Sequence, residues 1–304
     1  MKIAVMGSGG LGGYYGALLG KLGEEVTFIA RGAHLAALRS GGMRIRSING
    51  DFTIAPVRAT DIPSEIGVVD MVLFAVKTYD TDEAARAIQP IVGPATTVLT
   101  FQNGVESHER IDDVVGQGRA LPAPTQIAST VVEPGVISQE SQFRNTVIGE
   151  VRGGISRRVD EIVALLAKTG VSVTAAENGL TPVWHKLVFL SSIAGLTACA
   201  RTPAHDLFLL PAARETLRLA MQEVYDVGRA CGVPMDPDIV DRQHSFALGM
   251  KPGIRASMHV DLERGRRLEI DALSGAVVRL GSQHRVATPV HQTLYAALKP
   301  WAKS

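Results

Sequence analysis

Residues 2–12 have the sequence KIAVMGSGGLG, and this stretch decides the fold of the N-terminal half of the chain. The apolar run Lys2–Met6 predicts a strand, and the glycines after it have the spacing G-x-G-x-x-G. At such a strand-to-helix turn the first glycine permits a tight turn, the second lets the backbone approach a pyrophosphate, and the third lets helix and strand pack closely. A plain glycine-rich turn is the alternative. We predict a dinucleotide-binding turn formed by Gly7, Ser8, Gly9, Gly10, Leu11 and Gly12.

The residue after the second predicted strand, Val26–Ala30, bears on the choice of dinucleotide. Sites that prefer NAD usually carry Asp or Glu here, which binds the ribose 2′-hydroxyl. This chain has Arg31 instead, and the planar cation of an arginine can pair with a 2′-phosphate. Arg31 therefore predicts NADPH as the cofactor, and the alternative is an exposed charge without this role. His34 is a second candidate for the same role, with a surface-loop histidine as the plainer interpretation.

Short β-rich runs alternate with helical segments through the first half of the chain. Several runs are continuously apolar, which is typical of strands that are covered on both faces in a parallel sheet. The alternation predicts an α/β fold with a doubly wound sheet of Rossmann type. The segment Ala128–Gly149, with a turn at Glu133-Pro134-Gly135, is predicted to add a hairpin to that sheet. The other predicted strands and helices are Lys2–Met6, Val26–Ala30, Val69–Val76, Thr97–Phe101 and Val171–Ala175, and Leu11–Leu22, Thr81–Ile91 and Ile155–Lys168.

After about Asn178-Gly179 the strands stop and the pattern becomes helical. We therefore predict two domains: a Rossmann domain over residues 1–178 that binds NADPH, and an all-helical domain over residues 179–304 that binds the substrate and has helices that could form a homodimer. Glycines just past predicted helix ends suit left-handed caps, namely Gly170, Gly232, Gly249 and Gly281. The predicted helices are Pro182–Ala200, Ala212–Cys231, Pro237–Leu248, Ser257–Arg264, Ile270–Leu280 and Pro289–Ala302.

The composition argues against several classes of partner. The 304 residues carry 31 basic and 30 acidic side chains and a net charge of +1, so no basic field favours nucleic acid or an anionic membrane. The apolar stretch Leu187–Ala200 is shorter than the ~20 residues that a bilayer requires, and the start of the chain lacks the pattern of a signal peptide. We expect a cytoplasmic protein with no metal site and with two buried thiols, Cys199 and Cys231.

Further segments follow the glycine turn in a distinctive order. They are Phe74-Ala75-Val76-Lys77, Phe101-Gln102-Asn103-Gly104-Val105, Trp184-His185-Lys186, and Ser257-Met258-His259-Val260-Asp261 followed by Leu268-Glu269-Ile270-Asp271. Together with the turn, this order resembles the ketopantoate reductase family over nearly the whole chain. The resemblance implies a two-domain enzyme of pantothenate biosynthesis that uses NADPH to reduce a 2-oxo acid, 2-dehydropantoate, to pantoate.

The same resemblance implies roles for five polar residues. Lys186 is the general acid that protonates the carbonyl oxygen, and Glu269 lies close to it and to the substrate. Asn103 and Ser257 hold polar groups of the substrate, while Lys77 and Asn103 contact the cofactor. Lys186, Glu269, Asn103 and Ser257 each also have a plainer interpretation. These are an exposed lysine in the first turn of a helix, a surface ion pair of Glu269 with Arg266 or Arg267, a turn asparagine and an N-cap serine.

The expected chemistry agrees with a lysine in this position. Hydride addition places negative charge on the carbonyl oxygen, so a positioned proton donor lowers the barrier. Desolvation would lower the pKa of Lys186 and a neighbouring carboxylate would raise it, and the sequence leaves open which effect is larger. His185 is a rival acid, but adjacent residues on a helix point roughly 100° apart. We therefore favour Lys186.

One departure from the family pattern concerns the substrate. Ketopantoate reductases carry asparagines one and two turns after the lysine, whereas this chain has Leu190 and Ala194. A missing partner for a buried hydroxyl costs ~1–3 kcal/mol, unless Ser191, Ser192 or Thr197 compensates. The chain could therefore reduce another 2-oxo acid or a bulkier ketone. Two further alternatives stay open: a 3-hydroxy acid or polyol-phosphate dehydrogenase, and an NADPH-sensing module without catalysis.

Overall fold

The structure, a computed structural model, describes residues 1–302. The chain forms two compact units. The first comprises Met1–Gln102 and Ser107–Gly179, and the second comprises Asn103–Glu106 and the chain from Leu180 onward. Apolar side chains form two clusters in the first unit and one in the second. Each unit therefore has a core of its own.

The first unit contains all of the strands and five of the helices among the described residues. Most predicted elements are present with small shifts at their ends, and Lys2–Met6 has the predicted bounds. The strands are β1 (Lys2–Met6), β2 (Glu25–Ile29), β3 (Met43–Ser47), β4 (Phe52–Ile54), β5 (Arg58–Thr60), β6 (Val69–Phe74), β7 (Val92–Thr100), β8 (Ala120–Pro122), β9 (Thr125–Gln126), β10 (Ser129–Glu133), β11 (Val136–Gln139), β12 (Asn145–Gly149) and β13 (Ser172–Ala176). The helices are α1 (Gly10–Lys21), α2 (Gly32–Gly41), α3 (Thr81–Ile88), α4 (Ser107–Val115) and α5 (Arg157–Ala167).

The main sheet has six parallel strands in the order β5-β2-β1-β6-β7-β8. Its central strands are covered on both faces: Ile3 and Val5 of β1 lie in one apolar cluster, and Ala4 and Met6 lie in the other. This is why these strands are continuously apolar. The order is that of a Rossmann sheet, so the predicted fold class is confirmed.

The strand register brings three chain segments to one edge of this sheet. Met6, the last residue of β1, is paired with Ile29 of β2 and with Phe74 of β6. The residues that follow these three strands therefore lie side by side at the carboxyl edge. In open α/β sheets, ligands bind outside this edge.

The prediction that Ala128–Gly149 extends the main sheet is wrong. β10 and β11 do form the predicted antiparallel hairpin, with Gly135 in its turn at φ +79°. However, β11 pairs in parallel with β3, and the hairpin belongs to a separate sheet of order β10-β11-β3-β4. The strands β12 and β13 also leave the main sheet and form a third sheet with β9. The physical reason is long-range pairing, which local sequence patterns do not specify.

The second unit is helical in its described part. Its helices are α6 (Leu180–Ala200), α7 (Ala204–Leu207), α8 (Pro211–Ala230), α9 (Ile239–Leu248), α10 (Ser257–Glu263), α11 (Ser274–His284) and α12 (Pro289–Leu298). Gly232 has φ +81°, and in the first unit Gly170 has φ +80°, as their cap positions require. The other two predicted caps are wrong: Gly249 keeps φ near −84°, and Gly281 lies inside α11. Arg285 takes the left-handed conformation there instead, at φ +61°.

Helix α6 is longer than the apolar stretch seen in the sequence, because it begins at Leu180. By length and composition alone it could cross a membrane, but 61% of its most apolar window is buried inside the molecule. It packs against α8, α10 and α12. A helix with these contacts is the core helix of the second unit.

The prediction of two buried thiols is wrong. Cys199 is exposed in the last turn of α6, and Cys231 is half-buried directly after α8. Apolar neighbours in the sequence did not predict the burial of these thiols correctly, because both lie at helix ends, away from the core that buries the middle of each helix.

Candidate functional site

The glycine turn joins β1 to α1 with the conformation that its spacing predicts. Gly7 has φ +95°, and a Cβ atom there would lie 2.7 Å from the backbone nitrogen of Val76. A Cβ on Gly12 would lie 2.3 Å from the Gly7 carbonyl oxygen. A Cβ on Gly9 would meet no atom within 4 Å. Gly7 and Gly12 are thus required by the chain itself, while Gly9 leaves space at the N-terminus of α1.

Ser8 and Gly10 also have structural roles in the turn. The buried Ser8 hydroxyl donates a hydrogen bond of 2.8 Å to the Ile29 carbonyl, which ties β1 to the end of β2. A Cβ on Gly10 would lie 2.3 Å from the Ser129 carbonyl, so β10 packs against the first turn of α1. Because the Ser8 side chain is engaged, the backbone N–H groups are what this turn can offer to a phosphate. A dinucleotide pyrophosphate fits this arrangement.

Arg31 follows β2 and occupies the N-cap position of α2. Its guanidinium forms an ion pair with Glu83 at 3.0 Å, and the two side chains are 73% and 68% exposed. An ion pair this exposed contributes little and is easily exchanged for another partner. The cation therefore stays accessible to an anionic ligand at the carboxyl edge of the sheet.

His34 does not lie in a surface loop, as its plainer interpretation assumed. It lies in α2 and is half-buried, and its Nδ1 accepts a hydrogen bond from the Gly135 N–H at 3.1 Å. Burial lowers the pKa of His34, and the Ser8 carbonyl works in the opposite direction. His34 thus ties α2 to the hairpin turn between β10 and β11.

Lys77 lies three residues after β6, where it caps a short 3-10 turn over Thr78–Asp80. It is half-buried. β6 is the neighbour of β1 in the sheet, so Lys77 is placed at the same carboxyl edge as the glycine turn and Arg31. This edge gathers the cofactor-binding residues predicted in the first unit.

Asn103 belongs to the second unit by its contacts, together with the rest of Asn103–Glu106. Its Nδ2 donates a hydrogen bond of 3.4 Å to Oε2 of Glu269. Glu269 is 6% exposed and lies just before α11. The plainer interpretation of Glu269, a surface ion pair with Arg266 or Arg267, is wrong in placing this carboxylate at the surface, and Arg266 itself pairs with Asp261 at 3.8 Å.

Lys186 lies in the second turn of α6 and is half-buried. Burial of its ammonium group lowers the pKa of Lys186 to about 8, and the charge of Glu269 opposes this effect. The structure thus answers the question that the sequence left open, since desolvation is the larger effect. Glu269 thus links Lys186 and Asn103 into one group within the second unit, through its charge to Lys186 and through a hydrogen bond to Asn103.

The neighbouring histidine faces another part of the same unit. His185 Nε2 accepts a hydrogen bond from the Asp236 N–H at 3.2 Å. Burial lowers the pKa of His185, with a smaller opposite effect from Asp236. This separation from Lys186 is what the 100° angle between adjacent helical residues predicts.

Ser257 is the exposed first residue of α10. The N-cap of that helix is Ala256, so the alternative in which Ser257 is the cap is wrong. The structure therefore brings three of the four predicted substrate and catalytic residues together and places Ser257 on a separate helix of the same unit.

Three hydroxyl residues in the later turns of α6 bond to carbonyls of the helix itself. Ser191 donates to the Leu187 carbonyl at 2.7 Å, Ser192 to the Val188 carbonyl at 2.9 Å, and Thr197 to the Ile193 carbonyl at 2.7 Å. All three hydroxyl residues are buried. The Ser191 hydroxyl also lies 3.2 Å from Nε2 of His291. Because all three hydroxyls are fully buried and already have partners, they do not compensate for the missing polar side chains at Leu190 and Ala194.

Two ion pairs of this unit were not predicted from the sequence. Arg279 binds Glu106, which is 173 residues away in the chain, and Glu223 accepts hydrogen bonds from the backbone and ring of His291. No local sequence pattern indicates these partners, because each pair joins segments that are distant in the chain and meet only when the unit folds. Among residues 1–302, no group of three or more His, Cys, Asp or Glu side chains is arranged to hold a metal ion.

A six-stranded Rossmann sheet with a glycine-rich turn after its first strand is typical of oxidoreductases that use NAD or NADP. The family comparison makes this more specific. The family model described as ketopantoate reductase PanE/ApbA matches residues 3–153, and the model of its C-terminal part matches residues 178–302. The chain belongs to this family.

Individual relatives agree with the family assignment. A 2-dehydropantoate 2-reductase of Halobacterium salinarum is 32% identical over 296 residues, which are 97% of this chain and 96% of that protein. The crystal structure of a 2-dehydropantoate 2-reductase from Geobacter metallireducens has a TM-score of 0.93 at 31% identity and covers 99% of both chains. A D-mandelate dehydrogenase solved with NADH and anilino(oxo)acetate has a TM-score of 0.90 at 21% identity, which shows a shared fold alone.

Proposed function

We propose that the protein is an NADPH-dependent 2-dehydropantoate 2-reductase, in which Lys186 is the general acid. The observation that carries this proposal is the group formed by Lys186, Glu269 and Asn103. A lysine in water is a weak acid at neutral pH, whereas a lysine with a pKa of about 8 gives up its proton more readily and is still mostly protonated. The sequence relatives named above carry the activity that such a group would serve.

NADPH, when bound, supplies a hydride to the carbonyl carbon of the 2-oxo acid. Lys186 holds a proton for the carbonyl oxygen, so the negative charge that develops there is neutralised as the carbon–oxygen double bond becomes a single bond. Glu269 keeps enough positive charge on Lys186 for this donation. Asn103 donates to Glu269 and orients its carboxylate, and we assign Asn103 and Ser257 to the polar groups of the substrate.

The first unit is proposed to bind the cofactor. The glycine turn offers backbone N–H groups to the pyrophosphate, and Lys77 lies at the same edge of the sheet. Arg31 is proposed to select NADPH, because an exposed guanidinium can exchange Glu83 for the 2′-phosphate. A carboxylate in place of Arg31 would repel that phosphate.

A second candidate function is the reduction of another 2-oxo acid with a less polar side chain. The observation in its favour is that Leu190 and Ala194 follow Lys186 on the same face of α6. The nearby hydroxyls of Ser191, Ser192 and Thr197 bond to carbonyls of the helix itself. A substrate hydroxyl would find fewer partners on this face. An NADPH-sensing module is the less favoured alternative, since it needs no proton donor such as Lys186.

Two further predictions concern the setting of the enzyme. We propose a cytoplasmic protein, consistent with the burial of α6 among the other helices. We also propose that the helical unit can form a homodimer, which light scattering on the purified protein would test.

The deciding experiment measures NADPH oxidation by absorbance with a panel of 2-oxo acids that includes 2-dehydropantoate. We expect turnover with the parent protein and a loss of about 10²–10⁴-fold in kcat for Lys186→Ala, the usual contribution of a general acid. NADPH binding, followed by fluorescence, should be retained in that variant. NADPH binding without turnover of any panel member would overturn the enzymatic function, and a loss of only a few-fold would overturn the role of Lys186.

A further inference from the structure

The loop Asn103–Glu106 belongs to the second unit by its contacts, whereas the residues on either side of it belong to the first. Gln102 is held by the first unit, since its amide nitrogen donates to the Val76 carbonyl at 3.1 Å and to the Thr81 hydroxyl at 2.8 Å. The next four residues belong to the second unit, and Ser107 belongs to the first again. Asn103 therefore takes its position from contacts that hold this short loop in the second unit.

Two contacts anchor the middle of the loop, one at the backbone and one through a side chain. Gly104 has φ +83°, and a Cβ there would lie 2.7 Å from the Ala272 carbonyl oxygen. Only glycine fits such a close approach in this conformation. Val105 is 5% exposed and packs in the apolar core of the helical unit. The loop is thus pressed against the segment that lies just before α11.

The last residue of the loop is held by a charged side chain of α11. Arg279 Nε donates to Oε1 of Glu106 at 3.3 Å, and Arg279 Nη2 donates to Oε2 of the same carboxylate. This two-pronged geometry fixes direction as well as distance. Arg279 Nη1 also donates to the Gly275 carbonyl at 3.3 Å, one turn earlier in α11, which fixes the guanidinium itself.

The same short segment of chain carries the partner of Asn103. Glu269 lies just before α11, and its carbonyl accepts hydrogen bonds from the N–H groups of Ala272 and Leu273. Gly275 N–H donates to the Ile270 carbonyl at 2.8 Å. Glu269 and Arg279 are therefore held by one continuous structure, and each contacts one end of the loop, Asn103 and Glu106 respectively.

We propose that the Glu106–Arg279 pair is a positioning pair that holds Asn103 against Glu269, and through Glu269 sets the environment of Lys186. The pair touches neither substrate nor cofactor in this role. The proposal rests on the proposed function for its effect on catalysis. Its structural part, an anchor for the loop, stands without it.

A double-mutant cycle tests the catalytic part. We expect Arg279→Met and Glu106→Gln each to lower kcat/KM for the best 2-oxo acid about tenfold, since misplacing a positioning group by a small distance can cost up to about 10²-fold. If the pair acts through Asn103, Arg279→Met added to Asn103→Ala should change kcat/KM by less than about twofold. Effects that instead multiply would overturn the proposal, since a merely structural role would weaken both backgrounds.

Hydrogen exchange tests the structural part and needs no substrate. In Arg279→Met, the peptide that spans residues 101–108 should exchange its amide protons at least about tenfold faster, while peptides of the main sheet stay unchanged. Unchanged exchange in that peptide would overturn the anchor. If the parent protein reduces no 2-oxo acid, the proposed function fails and this measurement still decides the role of the pair.

A matched control comes from the same unit. Arg218 and Asp241 form another exposed pair between two helices, α8 and α9. Arg218→Met removes a comparable interaction away from the loop, and we expect kcat/KM and the exchange of residues 101–108 to match the parent. A tenfold loss in this control as well would show that general loosening of the helical unit explains the effect, which overturns the proposal.

Discussion

The Glu269 carboxylate raises the pKa of Lys186, while burial of the Lys186 ammonium lowers it, and burial is the larger effect. The resulting pKa of about 8 lies below the ordinary value of a lysine. At neutral pH the group is mostly protonated, as a general acid for ketone reduction must be. Above pH 8 it loses its proton, so we expect kcat/KM for reduction to fall as the pH rises through about 8.

Replacing Glu269 should move this fall to lower pH. Glu269→Gln removes the negative charge that favours the ammonium form, so the pKa of Lys186 should decrease further, by about one unit or more. The measurement is the pH profile of kcat/KM between pH 5.5 and about 9.5.

Asp271 provides the matched control for this prediction. It is two residues away and is engaged by Lys299 and Tyr295. Asp271→Asn should leave the position of the descending limb unchanged. A shift of the limb to higher pH in Glu269→Gln would contradict the assignment of that limb to Lys186.

Arg31 is expected to distinguish NADPH from NADH. Arg31→Ala should raise the KM for NADPH about 10–100-fold, the range for a lost hydrogen bond to a charged group of ~1.5–3 kcal/mol. The KM for NADH should change by less than about twofold. Steady-state kinetics with both cofactors measures this.

Glu83 supplies the control for Arg31. Glu83→Gln removes the present partner of the guanidinium and should leave NADPH binding unchanged or tighter. If Arg31→Ala weakened NADPH and NADH equally, Arg31 would have no role in binding the 2′-phosphate.

The glycines of the turn should separate folding from binding. Gly12→Ala places a Cβ against the Gly7 carbonyl, so we expect Tm to fall by several degrees, as for ~1–3 kcal/mol of overpacking in a protein of this size. Gly9→Ala meets no atom of the chain, so Tm should stay near the parent value while NADPH affinity falls. Thermal unfolding and NADPH titration of both variants check this, and a normal affinity in Gly9→Ala would argue against the binding role of the turn.

The sequence predicted those parts of the molecule that local patterns determine. The bounds of β1, the tight turn at Gly7 and the position of Lys186 on a helix all follow from residues near one another in the chain. At Gly7, for example, the backbone needs φ +95°, and the glycine that permits this conformation is visible in the sequence itself.

The parts that escaped prediction depend on segments that are distant in the chain. β11 pairs with β3 rather than with the main sheet, and Arg279 selects Glu106. The balance at Lys186 also needed the structure, because sequence alone gives no measure of how deeply the ammonium is buried. Pairing between distant segments and depth of burial both depend on the three-dimensional fold, and the periodicity of the sequence does not record either of them.

Leu190 is expected to tune the choice between 2-oxo acids. Leu190→Asn places an amide one turn after Lys186 on the same face of α6, which can pair with a substrate hydroxyl. We expect the ratio of kcat/KM for 2-dehydropantoate to that for 3,3-dimethyl-2-oxobutanoate, its counterpart without the hydroxyl, to rise about 5–100-fold, equivalent to ~1–3 kcal/mol for a satisfied polar group. Phe189→Asn, on the neighbouring position of the helix, is the matched control and should leave the ratio within about twofold. If the ratio stayed unchanged in Leu190→Asn, position 190 would not contact the part of the substrate in which the two acids differ. The proposal that the apolar face of α6 sets the substrate preference would then be wrong.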